Sequence, residues 1–145
     1  MFRRKDCVWL LAFAMLVVAF SGSAFAAKSG GKSAGGSTGG SAISLAPLVV
    51  DANGNGLPDF GDVVTFNIST TSTTQPYVNL QCTQDGAVVL NSWNGYFADA
   101  LNTSWDFGLG SGAWQSGAGD CTATLGMYTK RGWSKLAATS FHVGA

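Results

Sequence analysis

Five oxygen-bearing side chains recur at fixed spacing in Asp51-Ala52-Asn53-Gly54-Asn55-Gly56-Leu57-Pro58-Asp59-Phe60-Gly61-Asp62, at its first, third, fifth, ninth and twelfth positions. A glycine holds the sixth. This is the register of a twelve-residue calcium loop, in which the seventh residue contributes a backbone carbonyl and the twelfth closes the shell. The expected ligands of Ca²⁺ are therefore Asp51, Asn53, Asn55, the Leu57 carbonyl, Asp59 (directly or through water) and Asp62. Three carboxylates suit a hard divalent cation that takes six to eight oxygens. Gly54 and Gly56 allow the turns that such a wrap needs. Asp62 stands where Glu is usual, which shortens the reach of the closing ligand. The competing reading is an Asn-Gly connection between strands whose aspartates face water.

Other chemistry is sparse. The single histidine, His142, lies near the C-terminus on the strand face opposite Phe141 and Val143, a surface position. No serine sits in a nucleophile-elbow pattern. The chain has no Glu, so a paired-carboxylate glycosidase would have to use aspartates outside the loop, and the spacing of Asp99 and Asp106 does not recommend them. The segment 108–119 lacks the lysine of a phosphate loop. The expectation is a protein that is not an enzyme. Aromatic residues are numerous for so small a domain, and Trp93, Tyr96, Phe97 and Trp114 are candidates to stay exposed and stack on sugar rings or on another subunit.

Cys82 and Cys121 remain once the N-terminal region is removed, and in an exported domain two cysteines imply one disulfide. Two buried thiols are the alternative. Export is read from the first 26 residues. Arg3, Arg4 and Lys5 form a basic start, Val8 to Phe20 an apolar core, and Ala24-Phe25-Ala26 a small-x-small cleavage site. The apolar run is about 13 residues, short of the roughly 20 that span a membrane. Removing 1–26 leaves five basic and seven acidic residues, a net charge of −2, and all seven acids are Asp. There is no basic patch for nucleic acid and no polybasic stretch for a membrane surface. The destination is periplasm, cell surface or medium.

The elements that must hold these residues follow from patterning. Residues 27–42 are Gly/Ser-rich with almost no apolar side chain, the composition of a flexible leader. Residues 43–145 carry seven short stretches with strand character. Ile43–Val50 comes first, with Pro47 at an edge or bend. Val64, Phe66 and Ile68 then share one face, as do Val78, Leu80 and Cys82. Asp85-Gly86 marks a hairpin leading into 87–91. Trp105, Phe107 and Leu109 share a face of a fifth strand, and Cys121, Ala123, Leu125 and Met127 a face of a sixth. Lys130-Arg131-Gly132 turns the chain into a last strand, 135–143. Seven strands, frequent turns and no helical period predict an all-β, immunoglobulin-like β-sandwich of about seven strands.

The segment 49–68 resembles bacterial secreted and cell-surface immunoglobulin-like modules, in which Asp-x-Asn-Gly-Asn-Gly-x-x-Asp-x-Gly-Asp-x-Val-Thr-Phe joins the first two strands. The resemblance implies a structural, spacer or adhesive part of a surface protein, with a protein or glycan partner and self-assembly left open. The pattern departs from antibody domains, because the residue two before the second cysteine is Gly119 rather than Tyr. The alternative function is a carbohydrate-binding module that uses the exposed aromatics.

Overall fold

The computed structural model describes residues 36, 37, 39–102 and 104–145, so the expected signal segment 1–26 and most of the expected leader lie outside the described residues. Among the described residues there is no helix. Nine strands are present: β1 (Gly36–Ser37), β2 (Ala42–Leu45), β3 (Val63–Val64), β4 (Phe66–Ser69), β5 (Tyr77–Gln84), β6 (Ala87–Gly95), β7 (Phe107–Gly108), β8 (Gly119–Thr129) and β9 (Gly132–Val143). One sheet has the order β1-β9-β8-β5-β6, and two two-stranded ribbons, β2-β4 and β3-β7, supply the second layer. Every pairing in these sheets is antiparallel. The fold is all-β and sandwich-like, with two more strands than the patterning predicts.

The extra strands have local causes. Pro47 has no N–H to continue a ladder, so the predicted 43–50 strand ends at Leu45 and resumes only as the Val50–Val63 bridge. The second predicted strand divides at Thr65. Its carbonyl accepts from Ala46 N–H at 3.0 Å while its hydroxyl donates to the Trp105 carbonyl at 2.9 Å. On either side of that residue, β3 pairs with β7 and β4 with β2. The fifth predicted strand shrinks to Phe107–Gly108, and Trp105 lies half exposed outside it. At the other extreme, β1 pairs Gly36 and Ser37 with Ala138 and Ala137, so regular pairing reaches into the stretch expected to be a leader.

Alternation decides which side chains meet. Val78, Leu80 and Cys82 of β5, Ala123 and Leu125 of β8, and Ala137 and Val143 of β9 point inward against Ile43, Val64, Phe66 and Phe107 of the ribbons. Phe66 meets Phe107 edge-on at 5.6 Å between ring centres. Burying each Val-, Leu- or Phe-sized chain is worth about 1.5–3 kcal/mol, so this inner layer is the main source of stability. Cys82 and Cys121 are directly opposed in the β5–β8 register and are disulfide-bonded, inside one sheet rather than between layers. The 39-residue separation gives about 4 kcal/mol of loop-closure stabilisation in the chain-entropy account. The predicted hairpin tip is present: Asp85 and Gly86 have φ of 51° and 81°, the two positive values a type I′ turn requires.

Candidate functional site

The 51–62 loop hangs between paired backbone at both ends. Val49 N–H and Val63 N–H bond across the neck, to Val63 and Val50 carbonyls at 2.9 and 3.1 Å. Its far side is latched to the chain's penultimate residue. Phe60 N–H donates to the Gly144 carbonyl at 3.1 Å, and Gly144 N–H donates to the Pro58 carbonyl at 2.8 Å. A side chain at Gly144 would collide with the Asp59 carboxylate, so glycine there lets the loop close against the end of β9. Gly54 and Gly56, with φ of 72° and 73°, make the left-handed turns that fold the loop back on itself.

Within the loop the side chains do two different jobs. The Asp51 oxygens accept from Gly54 N–H and Gly56 N–H, each at 2.7 Å. Asn53 and Asn55 each accept from the backbone two residues on, at 3.0 and 2.6 Å, which fixes their orientation. The amide nitrogens of the same two asparagines both donate to one Asp59 oxygen, Oδ2, at 2.6 Å. Three side chains thus converge on one point at the exposed side of the loop. Asp62 differs. It is completely buried, and its two oxygens accept from Ala52 N–H and Asp59 N–H, both at 2.9 Å. Asp62, expected as the closing ligand, ties the start of the loop to its end through these two bonds.

The fit to a cation follows from these donors. Asp51, Asn53, Asn55 and Asp59 lie together at the exposed side; two amide N–H groups now offset the Asp59 charge, and a cation there would take their place, with the two amides turning their oxygens to it. Among the described residues no group of three or more His, Cys, Asp or Glu side chains is assembled as a metal cluster. The reason lies in composition, since asparagines supply two of the converging groups and Asp62 faces inward.

The four aromatic candidates divide into two pairs. Trp93 is 42% exposed and Phe97 is partly buried, and both lie at the outer end of the five-stranded sheet. Tyr96 and Trp114 are core residues, at 7% and 0% exposure, and this corrects their expected availability. Tyr96 continues the inward parity of Ser92 and Asn94. Its hydroxyl donates to the Trp105 carbonyl at 2.8 Å, and its ring stacks on Trp105. Burial pushes its phenol pKa above the ordinary value, with the charge of Asp106 adding to the rise, while hydrogen bonds with Thr65 and the Phe66 backbone oppose it. Trp114 lies against Gly119 and edge-on to Phe60, and its indole N–H is satisfied by the Gly117 carbonyl at 3.0 Å.

The candidate set leaves out Tyr77, Tyr128 and Trp133, which join Trp93 and Phe97 in one cluster of rings. The signal was available in register, because Tyr128 and Trp133 flank the predicted turn and stand opposite each other. A cavity of about 210 Å³ opens beside the cluster, lined by Tyr77, Trp93, Phe97, Leu101 and Asn102 together with small residues. At the other end of the same face His142 meets Asp120 at 2.8 Å, both well exposed. No helix among the described residues is long and apolar enough to cross a membrane. No family model, curated protein or solved structure matches the chain.

Proposed function

We propose that this chain is an exported, non-catalytic immunoglobulin-like module with a structural or adhesive task at the cell surface, and that its 51–62 loop holds Ca²⁺. The observation that carries the loop reading is the convergence of Asn53 and Asn55 on one oxygen of Asp59, beside Asp51, on a loop pinned at its neck and at Gly144. Asp51, Asn53, Asn55 and Asp59, with the Leu57 carbonyl, would hold the ion, and Asp62 would keep the loop in shape from within. A bound Ca²⁺ supplies positive charge that offsets the exposed carboxylates and cross-links the loop. The Cys82–Cys121 bond supports an oxidising compartment.

The loop is tested by thermal melts in chelator and in millimolar Ca²⁺, the range of extracellular sites. Binding should raise the melting temperature, by an amount equivalent to about 2.7 kcal/mol at one hundred times the dissociation constant. Asp51→Ala should abolish the shift and Asp85→Ala, at the hairpin tip, should leave it. A melt that does not move between the two conditions means the loop is a hydrogen-bonded turn. The adhesive task is tested by retention of purified protein on intact cells. Absence of both retention and self-assembly counts against it.

A further inference from the structure

The outer face of the five-stranded sheet is built in rows, because opposed residues on neighbouring strands project to the same side. One row runs Lys135, Gly126, Tyr77, Gly95 across β9, β8, β5 and β6, and the next runs Ala138, Thr124, Asn79, Trp93. The two glycines leave bare backbone on either side of Tyr77. The Trp133 indole lies over Gly126 and the Phe97 ring over Gly95, close enough that a methyl group at either glycine would collide with the ring. The rings of Trp93 and Trp133 meet edge-on at 4.8 Å, and Tyr128 touches Tyr77 and Trp133 at 5.4 and 5.3 Å. Ordinary packing accounts for rings that cover glycine. It leaves unexplained why Trp93 and Tyr128 remain 42% and 62% exposed beside an open cavity.

Two further features of this face point to a ligand class. Between the rings and the His142–Asp120 pair at the far end, the face is polar and uncharged, presenting Asn79, Asn91, Gln81, Thr122, Thr124 and Ser140, groups suited to hydroxyl-rich partners. The only Lys and Arg residues among the described ones, Lys130, Arg131 and Lys135, all lie in or beside the β8–β9 turn at the aromatic end. None has an ion-pair partner among the described residues. Asp99 precedes the cavity residue Ala100 in the chain, and the three cations stand at the β9 side. We propose that this face binds a polysaccharide with acidic sugar units. Sugar rings stack on Trp93 and Tyr128, hydroxyls bond the Asn and Thr side chains, and the acidic groups face Lys135 and the turn.

The inference rests on the exported, adhesive reading and names what is held, but it does not use the calcium loop. Trp133 and Gly144 are eleven residues apart along the last strand, roughly 35 Å in extended chain, so the two sites lie at opposite ends of β9. The test is tryptophan fluorescence titration with alginate and with polygalacturonate in the presence of chelator, so that a calcium bridge cannot mimic binding. Hydroxyethylcellulose serves as the neutral control, and vesicles of phosphatidylcholine with phosphatidylglycerol as the membrane control. Saturable binding of at least one acidic polymer is expected. Trp93→Ala and Tyr128→Ala should each weaken it about tenfold, the size of one exposed aromatic contact, with melts within about 5 °C of wild type. Lys135→Glu should weaken it and flatten its salt dependence. No binding, equal binding of the neutral polymer, binding unaffected by Trp93→Ala, or binding to vesicles alone overturns the proposal. If acidic polymers fail while the protein is still retained on cells, the inference falls and the adhesive reading stands; if retention is lost as well, both fall.

Discussion

Asp62 offers a sharp test, because the same residue would act in opposite ways as an ion ligand and as a clasp. Asp62→Ala removes the acceptor from two backbone N–H groups, those of Ala52 and Asp59, each now bonded at 2.9 Å to a fully buried carboxylate. Hydrogen bonds to a charged group contribute about 1.5–3 kcal/mol each, and the donors are partly reached by water, so the loss should be about 3–5 kcal/mol. That is a large part of the 5–15 kcal/mol typical of a domain. Asp62→Asn keeps one acceptor but turns an amide N–H toward the other donor, and should cost about 2 kcal/mol. Urea unfolding in chelator is the assay, with an expected midpoint shift of about 2 M for Asp62→Ala at a slope near 2 kcal/mol per molar. The clasp works through N–H donors and needs no ion. A midpoint within about 0.5 M of wild type, or a loss seen with Ca²⁺ and absent in chelator, would refute the reasoning.

Trp114→Ala should cost about 3–5 kcal/mol in the same unfolding measurement, as removal of a fully buried indole does, while Trp93→Ala should cost under about 1 kcal/mol. Equal losses would contradict the division of the aromatics into core and face. Tyr96 gives an alkaline signature. Its folded pKa is raised, so its contribution is complete below the ordinary phenol value near 10 and is lost as pH rises through the folded value, the unfolded chain ionising first. Tyr96→Phe should cost about 0.5–1.5 kcal/mol at neutral pH, from the lost bond to the Trp105 carbonyl, and should reduce the fall in stability above pH 10. Urea midpoints from pH 8 to 11 that run parallel in the two proteins would count against it.

Where one side of a strand is wet and the other dry, the sequence was easy to read. Val78, Leu80 and Cys82 alternate with Tyr77, Asn79 and Gln81, and the structure keeps that parity through β5. Asp85-Gly86 identified its own turn, because few other residue pairs accept two positive φ values. The failures come from contacts distant in sequence. Nothing near Trp114 announces that it will be sealed by Phe60 and Gly119, and glycine-rich surroundings read as loop whether or not a ring lies on them. Tyr96 was misplaced because the fourth predicted strand stopped at 91. Carried on to Gly95, its parity sends Tyr96 inward. In the loop, spacing identified the oxygen-bearing side chains but not which of them turns inside. That choice belongs to Asp62, whose partners Ala52 and Asp59 are fixed only when the neck closes.

The bond between Cys82 and Cys121 also sets how the molecule would respond to being pulled. Tension applied at the N-terminal end and at Ala145 can straighten only the chain outside the bridge, because the 39-residue separation between the cysteines is short-circuited by the sulfurs. At about 3.4 Å per extended residue, roughly 130 Å of contour length is withheld. The hairpin tip and β6, which carries Trp93, lie inside the withheld segment, whereas Tyr77, Tyr128, Trp133 and Lys135 lie outside it. A stretched molecule would therefore pull Tyr77, Tyr128 and Trp133 away from Trp93 and Phe97, which stay within the bridged segment. In a single-molecule trace, reducing agent should lengthen the unfolding step by that amount.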